Sequence, residues 1–273
     1  MRILRILRIQ PGSLTVLAWL GLLWSNAAWA GVIEDRVLEP SVTVTASNAS
    51  GSGVIFIHEA ATYVLTAGHV VEGLRSVQTY LDAGAEKKRE VWRDASVVQI
   101  ITEAGRQVGK LELNAEVVAY DEKEDLAILR VRRSGYFTRS AVFGTPQTPA
   151  GPGDPVLHCG SRSGEMGANS LSGGIVSAVG RLIEERVFDQ TDAPASPGSS
   201  GGGVFARETG EYLGMVTRGA GETFVLLIPM RRISTWLLGE GYGYLCPAWG
   251  PQPVVAEGPA PVALPEPSPP AGG

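Results

Sequence analysis

Three side chains in this sequence sit in settings suited to acyl transfer. His69 closes "YVLTAGHVV", where an apolar run ends and two small residues lead into the imidazole. Asp125 stands at the mouth of another apolar run in "DEKEDLAILRV". Ser200 lies in "SPGSSGGGVF", a stretch of serines and glycines that ends where a new apolar run begins. Hydrolysis by a serine nucleophile needs a base, a group that orients the base, and donors for the oxyanion. Glycines on both sides of Ser200 permit a sharp turn with the hydroxyl exposed, and let the N–H groups of Gly198 and Ser200 aim at one point as an oxyanion hole requires. Each residue alone has a plainer reading: a structural histidine, a solvated strand-end aspartate, a Ser/Gly linker. Together, the order His, Asp, Ser is one of the known triad orders on unrelated folds. The gaps leave room for base and orienter on one module and the nucleophile on a second.

The elements that must hold them are strands. "VTVTAS", "GVIFIHE", "TYVLTAG", "SVQTYLD", "SVVQIIT", "KLELNAEVVAY" and "DLAILRVR" form a first set of short β-branched runs. "PVLHCG", "GGIVSAVG", "GGVFAR", "YLGMVTR" and "TFVLLIPM" form a second. Such runs bounded by glycine-rich turns read as sandwiches or barrels, and 35 glycines and 18 prolines supply the turns. A Pro/Gly connector at 144–154 divides the sets, so two β modules are expected, followed by one short amphipathic helix in "RISTWLLGEG". Residues 31–246 are the expected folded unit, and the proline-rich stretch 247–273 is read as a disordered or polyproline-like tail.

Residues 1–30 are read as a secretory signal: Arg2, Arg5 and Arg8, an apolar run from Leu14 to Trp24, and Ala28-Trp29-Ala30 as the cleavage site. The run is short for a bilayer span, so no stable membrane span is expected after cleavage, and the product is expected in the periplasm or outside the cell. Loss of those arginines makes a chain of formal charge −5 more acidic still, which argues against nucleic acid as a partner. The basic groups Lys87-Lys88-Arg89 and Arg231-Arg232 read as solvated faces. There is no CxxC or HExxH spacing and only three histidines, so no metal and no cofactor is expected. His58 and His158 have no evident partner. For Cys159 and Cys246, pairing in an oxidising compartment is the working expectation, with Cys159 as a buried small hydrophobe the other reading. An Asn48-Ala-Ser sequon is also present.

The chain resembles the trypsin-like serine peptidases, and within them the HtrA/Deg branch, in "TAGHVV", "DLAILRV" and "TDAPASPGSSGG", and also in "GSGVIF" and "GGIVSAVGR". The resemblance covers about residues 38–236 and implies an all-β fold of two packed six-stranded antiparallel barrels with the site between them. It implies His69 as general base, Asp125 as its orienter, Ser200 as nucleophile and Thr217 as a hydroxyl beside the aspartate. It implies a first substrate pocket lined by Pro194, Ala195, Thr217, Arg218, Gly219 and Val225, without an acid at its base and shortened by Val225, which favours small aliphatic residues in protein or peptide substrates; the other reading is an acidic side chain drawn by Arg218, which faces the cleft. Two departures stand out. Ser199 replaces the acidic or amide residue of the family, so activation by an N-terminal cut is not expected. Gly203 replaces a proline and is expected to loosen one turn. The N-terminal segment lacks the aromatics of trimeric relatives, so a monomer is expected. The other reading is a catalytically silent protein-binding module on the same fold; an α/β-hydrolase esterase does not fit the triad order.

Overall fold

Backbone N–H and C=O groups buried with β-branched side chains must pair with one another, and here they do so across two strand rings. The computed structural model describes residues 31–47, 49–83, 85–103, 106–147 and 150–250. The segment read as a signal, Asn48 and the stretch beyond Gly250 lie outside the described residues. The strands are β1 (Ser41–Ala46), β2 (Ala49–His58), β3 (Ala61–Ala67), β4 (Arg75–Asp82), β5 (Ala85–Trp92), β6 (Ala95–Glu103), β7 (Arg106–Asp121) and β8 (Leu126–Val131) in the first half. The second half holds β9 (Val142–Phe143), β10 (Pro155–Arg162), β11 (Gly167–Ile183), β12 (Arg186–Thr191), β13 (Gly203–Ala206), β14 (Glu211–Gly219) and β15 (Val225–Pro229). Two short helices are α1 (Gly68–Val71) and α2 (Met230–Gly239). Among the described residues no helix is long and apolar enough to cross a membrane.

The first ring is a closed barrel in the order β1-β2-β3-β8-β7-β6. In the second, β13-β10-β11-β12-β15-β14 are neighbours and a further β13–β14 pairing closes the circle. This is the expected all-β pair of six-stranded barrels, with three differences. β9 joins the second sheet as a seventh strand, parallel to β14. The changeover between rings therefore falls between Val131 and Val142, ahead of the connector at 144–154. The run "SVQTYLD" is not a barrel strand: it is β4, which pairs only with β5 in a two-stranded ribbon. All of β4 is exposed, because Val77 and Leu81 are too sparse among polar neighbours to cover a barrel face. Lys87, Lys88 and Arg89 lie on this ribbon and are solvated.

One apolar cluster runs from the first barrel through the interface, with Val44, Val54, Val64, Leu129 and Phe205 fully buried. Phe56 of β2 stacks on Phe143 of β9 at 3.9 Å, and Tyr212 of β14 meets both edge-on at 5.6 Å. β9 thus exists to put one aromatic ring against the other barrel. The second barrel has its own smaller core of Val156, Val176, Val204, Val216, Val225 and Leu227. Burial of each such side chain contributes roughly 1.5–3 kcal/mol.

α2 starts two residues earlier than the sequence pattern, since extended Pro229 caps it at the end of β15. It buries Met230, Ile233, Trp236 and Leu237. Pro247–Trp249 form a further 3-10 turn, so ordered chain continues past 246. Cys159 and Cys246 are both free and both buried in the main core. The pairing expectation is overturned: neither thiol is bonded to the other, and burial pushes both up to about 11, in Cys159 against a smaller opposing effect of its bond with Ser41.

Candidate active site

The histidine and aspartate motifs meet because β3 and β8 are antiparallel neighbours. Their register pairs Ala67 with Leu126. Residue 69, two past the end of β3, therefore falls beside residue 125, one before the start of β8. A side chain at Gly68 would crowd the Asp125 and Leu126 backbone at 3.2 Å, which explains the small residue ahead of the imidazole. Asp125 adopts a left-handed backbone, φ +56°, a region where aspartate is enriched among non-glycine residues.

This conformation turns the carboxylate onto His69. Asp125 Oδ1 accepts the His69 backbone N–H at 3.0 Å and lies 2.9 Å from Nδ1, with Oδ2 at 3.1 Å from the same nitrogen. The Thr217 hydroxyl of β14 donates to Oδ2. Burial alone would push the Asp125 carboxyl up, but the bonds from His69 and Thr217 outweigh it and hold it below its ordinary range. The His69 imidazole is raised, chiefly by its bond to Asp125, against a smaller opposing cost of burial. Glu124, the preceding residue, is tied to Arg232 of α2 at 2.6 Å, so the last helix braces the aspartate loop.

Ser200 lies on the loop from β12 to β13. Gly198 and Gly201 have φ of +96° and +88°, and a Cβ on them would meet Ser161 O at 2.2 Å and Ser52 O at 2.0 Å. Conformation and space both demand glycine there. The Ser200 hydroxyl donates to the Thr217 carbonyl at 3.1 Å rather than to His69. Among the described residues neither the Gly198 nor the Ser200 N–H donates to a protein acceptor. Ser199 is buried, and its Oγ accepts the Ser196 N–H at 3.2 Å; it closes a local turn without any charge. Gly203 does not loosen a turn. It opens β13, its carbonyl is bonded to His158 Nδ1 at 3.0 Å, and a Cβ would strike the Phe205 ring at 2.4 Å.

The Ser200 loop is held by residues outside the three motifs, among them Ser52, which entered the sequence analysis only as part of a family-like stretch. Ser52 of "GSGVIF" donates from Oγ to Gly198 O at 2.7 Å, and the same oxygen accepts the Ser161 N–H at 2.7 Å. Its backbone N–H donates to Ser200 O at 2.7 Å. Ser161 Oγ is 2.6 Å from Thr43 Oγ1, and the Ser163 N–H donates to Pro197 O at 2.8 Å. Both barrels therefore grip the loop. The signal in the sequence was a serine between glycines inside an apolar strand, a polar group with nowhere to go unless it bonds.

Beside Ser200 a cleft of about 400 Å³ brings together Ala195, Thr217, Arg218, Gly219 and Val225 of the proposed lining, along with Ser196, Pro197, Val216 and Glu222. Pro194 is not part of it: its carbonyl accepts bonds from Ser172 Oγ and from Arg162. Ala195, Val216 and Val225 are buried and form an apolar floor, while Glu222, absent from the expected lining, is exposed. Arg218 reaches the Glu184 carboxylate at 3.2 Å and lies 5.0 Å over the Phe188 ring.

Fold and site together define a chymotrypsin-type architecture. The family described as the trypsin-like peptidase domain matches residues 51–215, and the chain belongs to it. It is 29% identical over 173 residues to the serine protease Do-like HtrA of Lactobacillus helveticus, covering 61% of this chain and 35% of that protein. It is 29% identical over 171 residues to the periplasmic pH-dependent serine endoprotease DegQ of Escherichia coli, covering 61% and 30%. The chain thus spans about a third of the length of these curated relatives. A crystal structure of the serine endoprotease from Yersinia pestis shares the fold, with a TM-score of 0.58 and 22% identity over 78% of this chain and 66% of that one.

Proposed function

We propose that this chain is an exported serine endopeptidase working through His69, Asp125 and Ser200. The observation that carries the reading is the clasp of Asp125 on His69, with both oxygens engaged and Thr217 bridging to the strand beside the serine. With Nδ1 committed to Asp125, Nε2 is the free acceptor. The Ser200 hydroxyl leaves the Thr217 carbonyl and passes its proton to Nε2 as Oγ attacks the scissile carbonyl. The N–H groups of Gly198 and Ser200 take the developing oxyanion. His69 returns the proton to the leaving amine, and water repeats the sequence on the acyl-enzyme.

The turn at Ser199 needs no ion pair with a new amino terminus, so the chain is active without a second cut. The apolar floor of Ala195, Val216 and Val225 favours small aliphatic residues at the first subsite, with Arg218 and Glu222 at the rim. Residues 1–30 direct export, which agrees with the periplasmic naming of one relative; residues 31–250 are the peptidase unit. A monomer is the expected state, since Val37 of the N-terminal segment is buried and Arg139 pairs with Asp35 and Glu39.

The silent-module reading has one observation in its favour, the Ser200 hydroxyl bonded to Thr217. Labelling with a fluorophosphonate probe decides between them. The wild-type chain should label and hydrolyse casein, and Ser200→Ala should do neither while keeping its fold. A wild-type chain that fails to label refutes the peptidase reading.

A further inference from the structure

We propose that the second barrel carries a docking cavity, sharing no lining residue with the cleft beside Ser200, for the chain's own proline-rich segment Pro251–Ala256. The cavity measures about 350 Å³ and is walled by Val179, Leu213, Leu227, Pro229 and Trp249. That volume is at the lower end of ligand pockets, roughly 300–1,000 Å³, and suits one or two short apolar side chains. Arg231 and Asp189 at its rim are paired at 2.5 Å. The rim thus satisfies its own charge, and the occupant needs none.

The described chain ends at this cavity. Trp249 forms one wall and is pinned by its Nε1–H to Gly144 O at 2.5 Å. Gly250 leaves the turn extended, φ −55° and ψ 170°. The next residues read "PQPVVA". Two prolines preset φ, and each pushes the residue before it to an extended conformation. The segment is uncharged and brings Val254 and Val255 within a reach of about 15 Å at roughly 3.1 Å per residue. Extended proline-rich chains bind aromatic-edged apolar grooves at low entropic cost, and Trp249 supplies the edge. A short tether gives an effective concentration on the order of 1 mM, so a segment with a free-standing Kd of about 0.5 mM would be docked roughly two-thirds of the time.

The test is methyl NMR on the full chain labelled at Val and Leu, in the Ser200→Ala background so that self-cleavage cannot trim the segment. The readout is contact, not hydrolysis, so it stands or falls separately from the peptidase reading. The expected result is nuclear Overhauser contacts from Val254 or Val255 methyls to Val179, Leu213 or Leu227; Val254→Asp/Val255→Asp, which deletes those methyls, should shift the Val179, Leu213 and Leu227 methyl resonances. Val179→Asp, at a half-exposed position, should abolish the same contacts from the cavity side. Because the paired tail substitution lies outside the barrels, it keeps the test valid if Val179→Asp misfolds. Val254 and Val255 at random-coil shifts without contacts would overturn the proposal. So would contacts that grow with protein concentration, which would mean a second copy is the occupant.

Discussion

Replacing Ser52 by alanine tests whether the grip of the two barrels sets the geometry of the nucleophile loop. Ser52 is fully buried. Its Oγ serves two partners at once, accepting from Ser161 N–H and donating to Gly198 O, each at 2.7 Å. Alanine orphans the Ser161 N–H, in a residue 1% exposed, at a cost of about 1–3 kcal/mol for an unmet buried donor. Gly198 is only half-buried and its carbonyl can turn to water, so losing that bond costs about 1 kcal/mol. The expected loss is therefore about 2–4 kcal/mol, read by urea denaturation, or roughly 5–12 °C in Tm for a domain of this size. Activity should fall by more than stability explains. Gly198 also supplies one of the two N–H groups assigned to the oxyanion, and loss of one such donor costs about 100–1,000-fold in kcat; a loop released on one side should forfeit at least tenfold, read on a peptide substrate far below the melting temperature. Thr43→Val is the control: it breaks only the hydroxyl pair with Ser161 and, by leaving that buried hydroxyl unpaired, should cost about 1–3 kcal/mol with kcat nearly intact. A Ser52→Ala chain with wild-type Tm and kcat would refute the reasoning, since the loop would then hold its shape without the bridge.

Three further outcomes are expected. His69 is raised above its ordinary value by Asp125, and only neutral imidazole can accept the serine proton, so kcat/KM should fall as pH drops through a value above 6.5; Thr217→Val removes one bond holding the Asp125 carboxyl down, so its pH–rate profile should differ, and an unchanged one rejects the role of Thr217. His158 is held neutral by burial, lowered to about 4 despite its bond to Gly203. The unfolded chain therefore binds the extra proton first, and stability is full above the ordinary histidine pKa of about 6.5 and lost as pH falls toward about 4, by up to roughly 3 kcal/mol; His158→Asn should flatten that slope in urea titrations, and an equal slope would contradict it. A peptide library should show cleavage after Val or Ala, with Glu222→Gln altering tolerance for basic residues at the rim alone; dominant cleavage after Phe would mean that Val225 does not floor the pocket.

The three residues proposed as the triad stood out in the chain because each sits in a local signal: small residues after an apolar strand for His69, an apolar strand opening at Asp125, a glycine-flanked serine for Ser200. These signals are local because strand ends and tight turns are governed by sterics within a few residues. The β-rich character was legible for the same reason, through β-branched runs and turn residues. What joins distant parts was not. Ser52 and Gly198 are 146 residues apart, and nothing near either announces the other. Whether "SVQTYLD" closes a barrel or stands out as a ribbon depends on which neighbour can cover it, and β9 is placed by one stacked ring on Phe56. Cys159 and Cys246 share a compartment rule but not a contact. Pro194 turned its carbonyl to Arg162 and Ser172 while Glu222 entered the cleft lining, because strand register decides which side of a loop faces the cleft. Side-chain type and short spacing determine what chemistry each stretch can do; the register and closure of the two barrels decide which stretches meet, because those contacts are made only after the strands have paired.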